Sequence, residues 1–129
     1  MWVQVLVASV ALVHLAAAQF VSHPGSITVA RQCPLQVTKV TLEPGTGFDH
    51  DSLYANFFIT NGTDQEYLYT YKLQLRENEK QSEVREQVGS SPILPHTKGW
   101  YREFVGVEFA KPASYTLQQA IISCVGTGS

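Results

Sequence analysis

The tripeptide Asp49-His50-Asp51 sets a histidine between two carboxylates, a grouping whose chemistry would be metal ligation or acid–base exchange. Alternating positions in one loop do not close a coordination sphere, because the remaining ligands have to be brought in by the fold. The sequence therefore favours a solvated polar turn between Gly47 and Leu53. Nucleophilic catalysis needs a nucleophile, a base and an orienting group held in register. No G-x-S-x-G motif occurs, and neither cysteine is available as a nucleophile if the two pair with each other. Gly45-x-Gly47 has the composition of a turn rather than of a phosphate cradle. No catalytic residue, metal or cofactor is predicted.

Aromatic side chains are the remaining resource. Trp100-Tyr101 follows the loop Pro95-His96-Thr97-Lys98-Gly99, and binding residues concentrate on loops carried by a rigid scaffold. Trp and Tyr are also the usual anchors of interfaces. His96, Lys98, Trp100 and Tyr101 are accordingly the candidate binding residues, against the alternative that Trp100 opens a strand and caps the core. Tyr67, Tyr69 and Tyr71 form a second aromatic ladder. Leu73 and Leu75 continue the same face, which favours a core-facing strand over a sugar-stacking platform.

These residues have to be placed in a compartment before they can be given a partner. Met1–Ala18 carries no charged side chain, and its apolar run ends in Ala16-Ala17-Ala18, an A-x-A cleavage pattern. Residues 1–18 are predicted to be a cleaved secretory signal and residues 19–129 a single secreted domain. The competing membrane anchor is shortened by His14 and by the polar stretch from Gln19 to His23. In an oxidising compartment two cysteines permit one pairing, Cys33 with Cys124, tying the two ends of the domain together. Asn61-Gly62-Thr63 is an N-glycosylation sequon in a turn-like stretch, so Asn61 is a candidate glycan acceptor on an exposed loop. With nine basic and eleven acidic residues, and no clustered basic excess, nucleic acid and anionic lipid are excluded as electrostatic partners.

The hydropathy pattern has the period of strands. Gln36–Leu42 is rich in β-branched residues and stops at Pro44-Gly45. Leu53, Ala55, Phe57 and Ile59 share a face opposite Tyr54, Asn56, Phe58 and Thr60. Tyr67–Arg76 alternates in the same way, and the Asn61-Gly62 link predicts a hairpin between the two runs. Residues 76–87 hold seven charges of mixed sign and read as a solvated hairpin end or an exposed strand margin. Trp100–Phe109 resumes as a strand. Tyr115–Val125 is read as a strand with a bulge near Gln118-Gln119, although Leu117, Ala120, Ile121 and Cys124 also fit a helix. The fold class expected is all-β: one small antiparallel β-sandwich or barrel stapled by one disulfide.

Cys33-Pro34, Ser52-Leu53 and the run Phe57-x-Ile59-x-Asn61-Gly62-Thr63 resemble a family of secreted fungal allergen-effector proteins. That resemblance implies a compact β-barrel of non-catalytic host-interaction proteins. The chain lacks the additional cysteine pairs of that family, and no functional residue is carried over. The function expected is a secreted non-catalytic interaction protein, meaning a binding module, effector or inhibitor acting on an extracellular protein or polysaccharide. The alternatives are a carrier of a small apolar ligand and a small secreted enzyme using His50. Oligomeric state is left open.

Overall fold

The computed structural model describes residues 25–126 apart from Glu79, Gln81 and Ala110. The expected signal segment 1–18 and the first residues of the expected mature chain lie outside the described residues. Among the described residues seven strands form two sheets, which do not close into a barrel: β1 (Ser26–Val29), β2 (Gln36–Pro44), β3 (Leu53–Asn61), β4 (Tyr67–Glu77), β5 (Glu83–Val88), β6 (Thr97–Gly106) and β7 (Tyr115–Gly126). One sheet has the order β1-β7-β4-β5 and the other β2-β3-β6. Neighbours run antiparallel except β1, which lies parallel to β7. The fold is a small β-sandwich.

Alternation sets the inner faces. Leu53, Ala55, Phe57 and Ile59 of β3 are buried, as are Tyr69, Tyr71, Leu73 and Leu75 of β4. Phe57 meets the two tyrosines across the interior, with ring centroids 5.5 Å from Tyr69 and 4.9 Å from Tyr71. These contacts overturn the expected hairpin. β3 and β4 pack face to face from different sheets, so the link through Asn61-Gly62 is a corner between layers. Burial rather than hydrogen-bond pairing joins the two runs.

The last segment is a strand. Opposite the Gln74–Leu75 step of β4, Gln119 and Leu117 are the partners, which leaves Gln118 as the extra residue of a bulge. That bulge returns Ala120 and Ile122 to the buried face of Leu117. β6 ends at Gly106, short of the expected Phe109. Val107 is exposed there, while Phe109 turns back to be buried. The charged stretch is the β4–β5 turn and β5 itself, whose pattern is reversed: Val84 and Val88 face outward while Glu83, Arg85 and Gln87 are half-buried. Cys33, in the crossover from β1 to β2, is bonded to Cys124 of β7, so the disulfide ties the passage between layers to the last strand.

Among the described residues two carboxylates are buried, Glu77 at the end of β4 and Glu103 on the inner face of β6. Glu103 accepts a hydrogen bond from the Tyr69 hydroxyl and another from Ser90 N–H at 3.0 Å. Beside it, Tyr71 donates to Gln87 Oε1 at 2.9 Å, and Gln87 Nε2 donates to Val105 O at 3.1 Å. Burial pushes both tyrosines above the ordinary phenol range, and the Glu103 carboxylate raises them further. A phenol whose pKa rises on folding keeps its stabilising role below its unfolded pKa and loses it above. Stability should therefore be flat through neutral pH and fall once the pH passes about 10. Tyr69→Phe should lessen that alkaline loss while leaving Glu103 one donor short. A melting series across pH for both proteins checks this, and an identical alkaline limb in the variant would refute it.

Candidate functional site

The outer face of the three-stranded sheet carries aromatic side chains where a solvated face would be polar. Register lines them up in rows. Lys39, Phe58 and Trp100 form one row, Thr41, Asn56 and Arg102 the next, and Glu43, Tyr54 and Phe104 the third. Phe58 and Trp100 pack edge to face at 5.2 Å, and Tyr54 and Phe104 do so at 5.5 Å. Cross-strand aromatic pairs of this kind stabilise the sheet on their own. Their exposure is what marks them: Trp100 keeps 53% of its surface and Phe104 47%.

Between the two pairs lies a polar centre. The Arg102 guanidinium stacks 3.6 Å from the Tyr54 ring centroid, and its Nε donates to Glu43 Oε1 at 3.2 Å. Asn56 Nδ2 donates to the same oxygen at 3.1 Å. The Asn56 amide holds the Glu43 carboxyl below the usual carboxylate range, Arg102 adds to this, and partial burial opposes it. Arg102 is thereby fixed in place while half of its side chain stays in water.

A rigid turn extends the strip. Asp49 accepts the Tyr54 hydroxyl at 2.5 Å and the Ser52 hydroxyl at 3.4 Å, so the short 3-10 turn Gly47–Asp49 is moored to the Tyr54 end. Asp49 raises the Tyr54 hydroxyl pKa in return. Ser52 N–H donates to Asp49 O and Gly45 N–H to Ser52 O. A side chain at Gly45 would run into the Asp49 carbonyl at 2.1 Å, so only glycine permits this close approach. The turn holds Phe48 wholly in solvent.

The sequence-predicted residues divide. Trp100 and Lys98 lie on the outer face, and Trp100 does not cap the core. Tyr101 is on the opposite side of β6, packed against the core. His96 adopts a left-handed backbone (φ 55°) in the turn before β6, and its Nε2 lies 2.6 Å from Asp64 Oδ1. That contact places the turn beside the interlayer corner, away from the rows. Sequence reasoning missed Phe58, Tyr54, Phe104, Arg102, Asn56 and Glu43. The available signal was Tyr54 and Phe58 on the face opposite an already complete apolar face of β3.

His50 Nδ1 lies 3.1 Å from Gly47 O, and its neighbour Asp49 is engaged in the turn, so the Asp49-His50-Asp51 grouping is part of loop architecture. Among the described residues no group of three His, Cys, Asp or Glu is placed to hold a metal ion. None of their helices is long and apolar enough to cross a membrane.

Asn61 is not in the exposed turn expected of a glycan acceptor. It is fully buried, and Nδ2 donates to Gln65 O at 2.8 Å and to Ile93 O and Leu94 O, both at 3.1 Å. Its Oδ1 accepts Thr63 N–H and the Thr63 hydroxyl. Both functional residues of the sequon are spent on building the corner.

The fungal resemblance gains no support from the two unclosed sheets. Comparison with protein-family models, with curated proteins and with solved structures finds no match.

Proposed function

We propose that this chain is a secreted, non-catalytic binding protein that docks the outer face of β2-β3-β6 on an extracellular protein. The observation that carries this reading is the pair of exposed aromatic contacts, Phe58–Trp100 and Tyr54–Phe104, flanking a pre-positioned Arg102. Tryptophan, tyrosine and arginine dominate interface hot spots, and a pre-ordered side chain loses less entropy on binding. The secreted setting rests on the N-terminal segment and fits the Cys33–Cys124 bond. Ring geometry favours a protein over a polysaccharide. The two pairs are inclined at 67° and 63°, so they form ridges rather than a flat stacking platform, and Arg102 covers one face of Tyr54. The interior aromatics that suggest a ligand carrier pack on one another instead.

The test is titration of the purified protein against a panel of extracellular hydrolases and soluble polysaccharides by calorimetry. Trp100→Ala should weaken binding to the partner at least about 30-fold, the loss of about 2 kcal/mol typical of a hot spot, in protein that stays folded and loses only the modest stabilisation of the Phe58–Trp100 pair. Arg102→Ala should weaken it about tenfold. Undiminished binding by folded Trp100→Ala protein would refute the reading. Binding confined to the polysaccharides would replace the partner class.

A further inference from the structure

The rows of the outer face are ordered so that the face complements itself. Along β2 the side chains run Lys39, Thr41, Glu43, along β3 Phe58, Asn56, Tyr54, and along β6 Trp100, Arg102, Phe104. A two-fold axis lying in the face along the middle row reverses this order between copies. Lys39 then falls over Glu43 of the second copy, Phe58 over its Tyr54, and Trp100 over its Phe104. Lys98, beyond the first row, falls toward the acidic Asp49 end of the second copy. Off the axis each lysine meets a carboxylate and aromatic pairs meet aromatic pairs, the self-complementarity that an isologous contact needs. Arg102 faces its own copy at the axis, where each guanidinium is already paired with Glu43.

We infer that the outer face of β2-β3-β6 closes on a second copy of this chain in a two-fold, face-to-face dimer. The inference rests on the reading of this face as a docking surface, and makes the dimer the resting form that an external partner has to displace. Two sheets meeting this way pack about 10 Å apart, the spacing of a sandwich interior. The face spans about 20 Å along β6 from Lys98 to Phe104 at about 3.3 Å per residue. It is three strands wide, with Phe48 at its rim. That is small against the roughly 800 Å² per partner of a standard interface, so the dimer is reversible, with a Kd on the order of 10 μM.

Sedimentation of the purified protein from about 1 to 100 μM, which brackets that Kd, reads the dimer directly. Wild-type protein should pass from monomer to dimer over this range. Lys39→Glu and Glu43→Lys should each weaken association at least tenfold, because each homodimer then sets like charges together. An equimolar mixture of the two should recover wild-type association, since both ion pairs are complementary again in the mixed dimer. Glu43 also holds Asn56 and Arg102, so a second pair of variants avoids it. Thr41→Glu and Thr41→Lys each put like charges across the axis, and mixing them should restore the dimer.

Wild-type protein that stays monomeric throughout overturns the inference. So does association untouched by the single variants, or no recovery in either mixture. The two proposals fail separately. A monomer whose external partner still requires Trp100 removes the dimer alone. A dimer with the mixing behaviour above, but external binding that ignores Trp100, removes the function alone.

Discussion

Replacing both cysteines, Cys33→Ala with Cys124→Ala, should lower the stability of the domain by about 4–5 kcal/mol, as the chain-entropy relation gives for so long a loop. The sequence separation is 91 residues, so in the unfolded chain the bond removes conformations across nearly the whole domain. For a domain whose total stability is about 5–15 kcal/mol, that loss brings it close to the unfolding threshold. It corresponds to a fall in melting temperature of roughly 20 °C. The folded state should change little. β1 keeps its pairing with β7, and the Ala30 N–H to Ile122 O bond holds the start of the crossover in place. Because the effect acts through the unfolded ensemble, the denaturant m-value should rise as the freed chain exposes more surface. Urea unfolding of the double variant reads both quantities. A loss under about 1 kcal/mol would mean that the strand pairings around the crossover, not the chain constraint, hold the two ends.

The same bond shows what is legible in such a sequence. Two cysteines leave one intramolecular pairing, and alternation reveals the inner faces of β3 and β4 because a period of two is a local property. The Gln118 bulge is legible too, since the apolar positions of β7 slip by one residue there. Sheet membership is not local. Asn61-Gly62 carries a strong hairpin signature, yet the chain uses it to change layers, and nothing in either run says which layer it joins. β5 is legible only as a charged hairpin end or strand margin, because its valines face water and its half-buried positions are Glu83, Arg85 and Gln87. Those residues are accommodated by specific partners, such as Arg85 over the Phe109 ring at 4.6 Å, that only the fold brings near. The candidate site is split in the same way. Trp100 and Lys98 stand out beside a turn, whereas Phe58, Arg102 and Glu43 join them only through the register of three strands distant in sequence.

At the interlayer corner, Asn61→Asp should destabilise the protein by about 3–5 kcal/mol near neutral pH, the cost of a buried charge left without a partner. The comparison with Asn61→Ala isolates the cause. Truncation removes the amide's two N–H donors, shared among three carbonyls, and the acceptor of Thr63 N–H and its hydroxyl, but each carbonyl keeps another donor: Ile93 O has Tyr67 N–H, Leu94 O has the Thr97 hydroxyl, and Gln65 O has the Thr63 hydroxyl. Its cost should therefore be about 2 kcal/mol, from the lost bonds and the small void. The carboxylate is worse than nothing, because it turns an oxygen toward three carbonyl oxygens in a site without water contact. Folding then favours the protonated acid, so the pKa of the introduced group is higher folded than unfolded. Its penalty should be absent below the unfolded value of about 4 and grow as the pH rises through the folded one. Asn61→Ala should show no such added pH dependence.

The same geometry bears on the sequon. A glycan on Nδ2 would replace a donated hydrogen and occupy space filled by the 93–94 segment, so Asn61 should be unmodified in the folded protein. Intact mass together with melting curves of the two variants from pH 4 to 7, the interval over which a buried carboxyl titrates, decides the matter. A glycan at Asn61 on stably folded protein, or equal melting of the two variants at every pH, would remove Asn61 as the clamp between the two layers.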